Sequence, residues 1–418
     1  MPTCRHMLAG LLLFVSGCTA SDRIEVAFQL RDSAGVQLVL NGGATDSATV
    51  IVDPELRVGQ AMGEAAYEFH RLGPITVARD GTIFAANGGT SIRVFTADGT
   101  FVREFGRQGQ GPGEFRAIHA LRVHGDSLIV LDRSARRATV FRTDGTLVDT
   151  WDLRVADGSR VEPVALSNEG VLALVATSTR ELSLEPFSLF RDTTHVRNYD
   201  PATLETGPSL RSWPGMRRIA WAEVYPHMPL FEPHTLTAVL PDGTQYHSTD
   251  GAYTIDVFNA SGTRVRSIRR DVAGVPNDDA LMDALAAALG DRGGEQAMAV
   301  SRAQEHPRAP VLSVLAAILP APDGALIVLR MDVMDPVALE RGSGFTGSAE
   351  RRAQTGVNTS AARWERFDAE GRYAGAIRLP MRFMPHAFDG TSVIGVLQDD
   401  DDVQYIARYR LPDLTVPS

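Results

Sequence analysis

The chain has 418 residues, a net charge of −10 and an ordinary hydrophobic content of 44%. The acidic balance excludes a general nucleic-acid binder, which needs a basic face, and the apolar content excludes wholesale disorder. All 41 basic residues are Arg, and Cys occurs only twice.

The first element in chain order is "MPTCRHMLAGLLLFVSGCTASD". Arg5 precedes an apolar run from Met7 to Val15, and small residues follow. That run is far shorter than the roughly 20 residues needed to cross a bilayer, so residues 1–17 read as a signal peptide. Val15-Ser16-Gly17-Cys18 resembles the bacterial lipobox, whose Cys is acylated and becomes the first mature residue. An ordinary secretory signal cut near Ala20 is the alternative. Cys4 leaves with the signal, so the mature chain can form no internal disulfide and Cys18 is free to carry the lipid. Each buried methylene contributes about 0.8 kcal/mol, which makes a multiply acylated Cys18 a stable anchor. Residues 18–26 then form a lipidated linker. By resemblance to two-membrane bacteria, Thr19 in place of Asp after the Cys implies the outer membrane.

From residue 27 to 412 the reading is all-β. Two β-like runs, "GVQLVLN" and "SATVIVDPELRVG", precede a long series of turn signals: Asp80-Gly81, Asp98-Gly99, Asp144-Gly145, Asp242-Gly243, Asp323-Gly324 and Asp389-Gly390. Softer versions are Glu169-Gly170, Ser261-Gly262 and Glu370-Gly371. Such pairs accept the positive φ of a tight two-residue hairpin, and short β-rich runs flank them. Alternate hairpins carry an aromatic four residues before the turn glycine: Phe95, Phe141, Phe258 and Phe367, with Tyr199 before a longer turn. One hairpin of each kind makes a four-stranded unit of about 45 residues, the length of a propeller blade.

This spacing predicts six blades, at 74–106, 119–153, 163–222, 234–271, 312–380 and 385–412. The last has only three strands, while the N-terminus has strands to spare. Closure of the ring by both ends is therefore expected, because it removes an open sheet edge. Between blades four and five, residues 276–308 read as a small helical insertion, with Leu281, Leu285 and Leu289 at i+4. Residues 336–360 read as a polar loop, and 413–418 as a tail.

"FGRQGQGPGEF", residues 105–115, is glycine-rich but lacks the Lys of a phosphate loop and the third Gly of a dinucleotide fingerprint. It reads instead as the joint between blades one and two. Gly106, Gly109, Gly111 and Gly113 permit unusual backbone angles, Pro112 stiffens the middle and Phe115 is placed to bury between blades.

Through this joint and the stretches "RDSAGVQLVLN", "ARWERFDAEGRYAGAIRLP" and "VIGVLQDDDDVQYIARYRLP", nearly the whole mature chain resembles the bacterial six-bladed β-propeller lipoproteins related to NHL repeats. The resemblance implies a fold and a cell-envelope address, not a reaction.

Ligands of propellers usually sit at the ring mouth, where loops lead into the innermost strands. His70 and Arg71, Arg116 and His119, His234, His306 with Arg308, and His386 all fall in such connections. If they converge, the mouth suits an anionic ligand or, through neutral imidazoles, a metal ion. Scattered residues snorkelling over apolar surface are the alternative. Asp399 to Asp402 lack the alternating order of a calcium loop and read as a solvated turn. His227 with His234 reads as a Pro-rich connection or a metal pair, and no G-x-S-x-G elbow supports serine hydrolysis. The expectation is a non-enzymatic scaffold without a cofactor, held to the membrane by lipid and binding an envelope protein, glycan or small ligand. The alternative is a metal-dependent envelope lyase or hydrolase. It is motivated by six-bladed peptide-amidating lyases, which bind zinc through His at the channel.

Overall fold

Five of the Asp-Gly turns share one geometry, and it differs from the expected two-residue hairpin. Around Gly81, the Ala78 N–H donates to Thr82 O and the Gly81 N–H donates back to Ala78 O. The same pair of bonds recurs around Gly99, Gly145, Gly243 and Gly324. Only the Gly has positive φ, +84° to +91° across the five. These are type I turns followed by a left-handed glycine, which insert one residue into the ladder. The Asp does not take the left-handed position; its carboxylate accepts the N–H two residues on, as in Thr82 to Asp80 (2.9 Å) and Thr244 to Asp242 (2.8 Å). That bond is the reason for Asp in the motif.

The structure, a computed structural model, describes residues 28–42, 47–154, 160–167, 170–177, 189–221, 224–227, 235–248, 252–274, 276–283, 310–312, 314–330, 363–380 and 382–413. The turns join six antiparallel meanders into a six-bladed β-propeller. From the innermost strand outward, blade one is Leu72–Val77, Ile83–Asn87, Ser91–Phe95 and Phe101–Phe105. Blade two is Ile118–His124, Ser127–Asp132, Arg137–Arg142 and Leu147–Asp152. Blade three is Arg160–Ser167, Gly170–Thr177, Leu189–Asp200 and Glu205–Trp221, with Val224–His227 added outside. Blade four is Leu236–Val239, Gln245–Ser248, Thr254–Phe258 and Arg264–Arg270, and blade five is Leu315–Pro320, Leu326–Arg330, Arg363–Phe367 and Tyr373–Arg378.

Blade six takes three strands from the C-terminus, Phe383–Phe388, Ser392–Gln398 and Gln404–Arg410, and its fourth, Leu56–Val58, from the N-terminus. Both ends of the chain thus close the ring. The rest of the N-terminal β sequence is not used for closure. Val36–Asn41 adds in parallel to the outer strand of blade four, Phe28–Ser33 folds back on it, and Thr49–Val50 adds in parallel to blade five. Residues 28–42 and 47–58 therefore form a strap over the outer edges of blades four, five and six.

Buried apolar clusters lie one to each seam between blades. The aromatics before the turns anchor these seams: Phe95 and Phe367 are fully buried, and Phe141, Phe258 and Tyr199 nearly so. Each such side chain is worth about 1.5–3 kcal/mol of burial. The turn glycine beside each Phe touches the blade before it. A Cβ on Gly371 would lie 2.6 Å from Ile268 Cγ1 of blade four, and one on Gly99 2.5 Å from Val58 Cγ2 of blade six. In blades one, two, four and five this turn is keyed into the neighbouring blade, so the motif builds the ring as well as the hairpin. Of the expected helical insertion, a single helical turn from Asp279 to Asp283 is described, capped by Asp278 Oδ1 accepting the Leu281 N–H at 3.0 Å. Residues 284–308, and all of 336–360, lie outside the described residues.

Candidate functional site

In an antiparallel meander, successive turns alternate between the two ends of the sheet. The turns after first and third strands, with their glycines, fall at one end of each blade. The turns after second strands fall at the other end, together with the crossings between blades. This second end is the mouth where ligand residues were expected.

Two buried polar residues in equivalent positions build that mouth. Asn87 and Asp132 close the second strands of blades one and two, at 7% and 0% exposure. Asn87 Oδ1 accepts the His70 N–H at 3.2 Å, and Asp132 Oδ2 accepts the Arg116 N–H at 2.6 Å. Each pins the backbone two residues before an innermost strand. The side chains of His70, Arg71 and Arg116 are left exposed on the rim. Arg71 makes only a 3.4 Å contact with Gly88 O.

His119 and His386 occupy a different setting. Five of the six innermost strands slip register against the second strand, and these two residues are the slipped ones in blades two and six. In blade six the slip needs Gly395 opposite, since a Cβ there would fall 1.9 Å from Met384 O. Burial pushes the His119 imidazole below its usual value, against the pull of Glu162, and pushes His386 down to about 4. Both are therefore neutral at pH 7, and His119 Nδ1 and His386 Nε2 are shielded from water without a hydrogen-bond partner. The predicted residues thus divide into an exposed rim set and a shielded inner pair. His234, His306 and Arg308 lie outside the described residues, as does Cys18. His227 ends the outermost strand of blade three, remote in strand order from the inner strands. Among the described residues, no group of three or more His, Cys, Asp or Glu is placed to hold a metal ion.

The glycine-rich joint is closed on itself. Arg107–Gln108 pairs in parallel with Glu114–Phe115, and the Gly109 N–H donates to Phe115 O at 3.1 Å. Glu114 Oε2 accepts the N–H groups of Gln110 (3.0 Å) and Gly111 (2.8 Å). With Arg107 on its other oxygen, these bonds lower the Glu114 pKa. The amides that a phosphate would need are already held by this carboxylate. Asp399 to Asp402 form the turn between the second and third strands of blade six. There Asp399 accepts the Val403 N–H (2.9 Å) and the Tyr405 hydroxyl (2.8 Å) and pairs with Arg57 of the strap.

One polar cluster had not been anticipated. Glu365, fully buried in blade five, pairs with Arg270 of blade four, with Arg363 at 3.0 Å and with Arg330 at 3.4 Å, and accepts the Tyr253 hydroxyl at 2.6 Å. Burial alone would raise its pKa, but Arg270, Tyr253 and Arg363 hold it below the usual glutamate value. Its only signal in the sequence is "RWERF", in which charges alternate with aromatics inside a strand.

The fold and this mouth place the chain in the class of six-bladed β-propellers. A family model described as a 6-bladed β-propeller matches residues 67–166, from the approach to blade one through the first strand of blade three. Among solved structures, the chain is similar to a candidate exported protein of Bacteroides fragilis, at 12% identity and a TM-score of 0.49 over 90% of this chain and 100% of the other. It is similar to a Bacteroides vulgatus protein at 9% identity and 0.45, over 92% and 98%. A virginiamycin B lyase of Staphylococcus aureus is more distant, at 10% and 0.38, over 82% and 95%. No curated protein matches the sequence. No helix among the described residues is long and apolar enough to cross a membrane.

Proposed function

We propose that the protein is a non-enzymatic binding scaffold of the cell envelope, exported by its signal peptide and held to the outer membrane by a lipid on Cys18, as in NHL-related propeller lipoproteins. Its mouth rim binds an anionic group carried by a protein, glycan or small ligand. The observation behind this reading is the pinning of the His70 and Arg116 backbones by Asn87 and Asp132, with the cationic side chains of Arg71 and Arg116 left exposed beside them. A rigid backbone under exposed guanidinium groups loses little entropy on binding and offers fork-shaped donors to carboxylate, sulfate or phosphate. No observation on the described residues favours the metal-dependent lyase or hydrolase.

The test is affinity capture from envelope extracts with mass spectrometry, run in parallel on the natural chain and on Arg71→Ala with Arg116→Ala. A partner retained by the first and lost by the second supports the rim. A partner retained equally by both contradicts it.

A further inference from the structure

The strap leads outward from the ring toward the anchor. Only nine residues lie between Cys18 and Phe28, a reach of about 35 Å when fully extended, and Phe28–Ser33 is the outermost strand of the blade-four sheet. A lipid on Cys18 therefore holds the blade-four edge close to the bilayer. Eight large apolar side chains stand exposed among the described residues. Leu30 (51%), Val50 (63%) and Val52 (66%) lie on the strap, and Val265 lies on the blade-four strand beside it. Val102, Leu147 and Val148 (55%) lie on the outer strands of blades one and two, and Met62 (87%) lies in the segment that leads from blade six to blade one. In a ring of six, blade four is opposite blade one and blade five opposite blade two. Only one of the two apolar sides can meet the bilayer, and the tether selects the strap side.

We propose that the rim of blades four and five rests on the membrane, with Leu30, Val50 and Val52 in the boundary between headgroups and acyl chains. The proposal builds on the lipid anchor at Cys18. The multiply acylated Cys18 keeps the protein at the bilayer, and the small apolar patch, a weak membrane ligand alone, then binds at the high effective concentration the tether imposes. With its circumference on the bilayer, the ring has its axis along the membrane plane. Its mouth then opens sideways, uncovered by lipid, to ligands of the envelope.

The mature chain has no Cys beyond Cys18, so a single introduced thiol reports one position. Lipidated full-length proteins carrying Val52→Cys or Val148→Cys are labelled with nitrobenzoxadiazole. They are reconstituted in phosphatidylethanolamine–phosphatidylglycerol vesicles and exposed to dithionite, with mass spectrometry of Cys18 on the same samples. Val50→Cys repeats the strap reading at a second position. The expected result is an acylated Cys18 and labels at 50 and 52 reduced several-fold more slowly than on protein released in detergent, with no such change at 148. An acylated Cys18 with equal reduction at all positions overturns the docking and leaves the anchor standing. A Cys18 without acyl mass overturns the anchor, and the docking with it.

Discussion

Gly106 lies directly beneath the ring of Phe115: a Cβ on Gly106 would sit 2.8 Å from Phe115 Cε2. The two residues bracket the joint between blades one and two. Phe115 is fully buried against Phe141, 6.2 Å between ring centroids, within the seam cluster that includes Phe84, Val94 and Leu128. The glycine gives the chain a φ of +82° and leaves room for the aromatic plug. Phe115→Ala is expected to cost about 3–5 kcal/mol, as for other large-to-small core changes. Gly106→Ala should destabilise as well, through both strain and contact. Urea unfolding reads both, and an unchanged midpoint for Phe115→Ala would show that the seam does not depend on it.

The strap has a comparable lock. Asn41, 3% exposed, accepts the Tyr373 N–H at 2.7 Å and donates to Gly371 O at 3.0 Å, joining the strap on blade four to the turn of blade five. Asn41→Ala leaves a buried donor and a buried acceptor unsatisfied, each worth about 1–3 kcal/mol. Hydrogen exchange should then accelerate over Val36–Asn41 and Tyr373–Arg378 before the rest of the ring. Uniform exchange across all blades would contradict the lock.

Glu365 holds the seam between blades four and five by charge. Glu365→Gln removes the carboxylate shared by Arg270 and Arg363 while keeping the volume, and is expected to cost about 3–5 kcal/mol. Double-mutant cycles with Arg270→Met measure the coupling. A coupling near zero would reduce the cluster to packing.

Acid should weaken the ring in two places. Burial, reinforced by Arg211, pushes His247 down to about 3; it lies in blade four with its ring 4.2 Å from that of Trp213 of blade three. Its hydrogen bonds run to Thr237 Oγ1 and Gln245 Oε1, and it carries no opposing charge. His386 is pushed to about 4 by burial. In both cases the folded pKa lies below the unfolded value near 6.5, so the unfolded chain binds more protons. The stability they contribute is fully present above pH 6.5 and falls as pH drops toward the folded values. At pH 5 the loss is about 2 kcal/mol for each. His247→Gln should lessen this slope in denaturation measured from pH 7 to 5, and an unchanged slope would refute the assignment.

The blades were legible in the sequence because a turn is a local event. Asp80-Gly81 and its counterparts encode φ and a side-chain cap within five residues, and Phe95 or Phe367 recurs at a fixed distance. The strap was less legible. "GVQLVLN" reads as a strand, but its parallel partner Arg264–Arg270 lies over two hundred residues away, and periodicity carries no information about partners. The turn geometry was misjudged because Asp-Gly suits both the two-residue hairpin and the longer turn; the hydrogen bond of Asp80 to Thr82 decides between them. In the mouth, His70 and Arg116 could be found as residues before inner strands. The register slip that carries His386 depends on Gly395, which no local pattern announces, and the one that carries His119 has Asp132 in the matching position.

The claim that the mouth rim is the ligand site is tested most directly by photo-crosslinking in cells. p-Benzoylphenylalanine is placed at His70 or Ala117 on the mouth, and at Asp98 or Asp242 on the opposite end. A discrete adduct is expected from the mouth positions and none from the Asp-Gly turns. Adducts from the turn end alone, or equally from both ends, would contradict that claim.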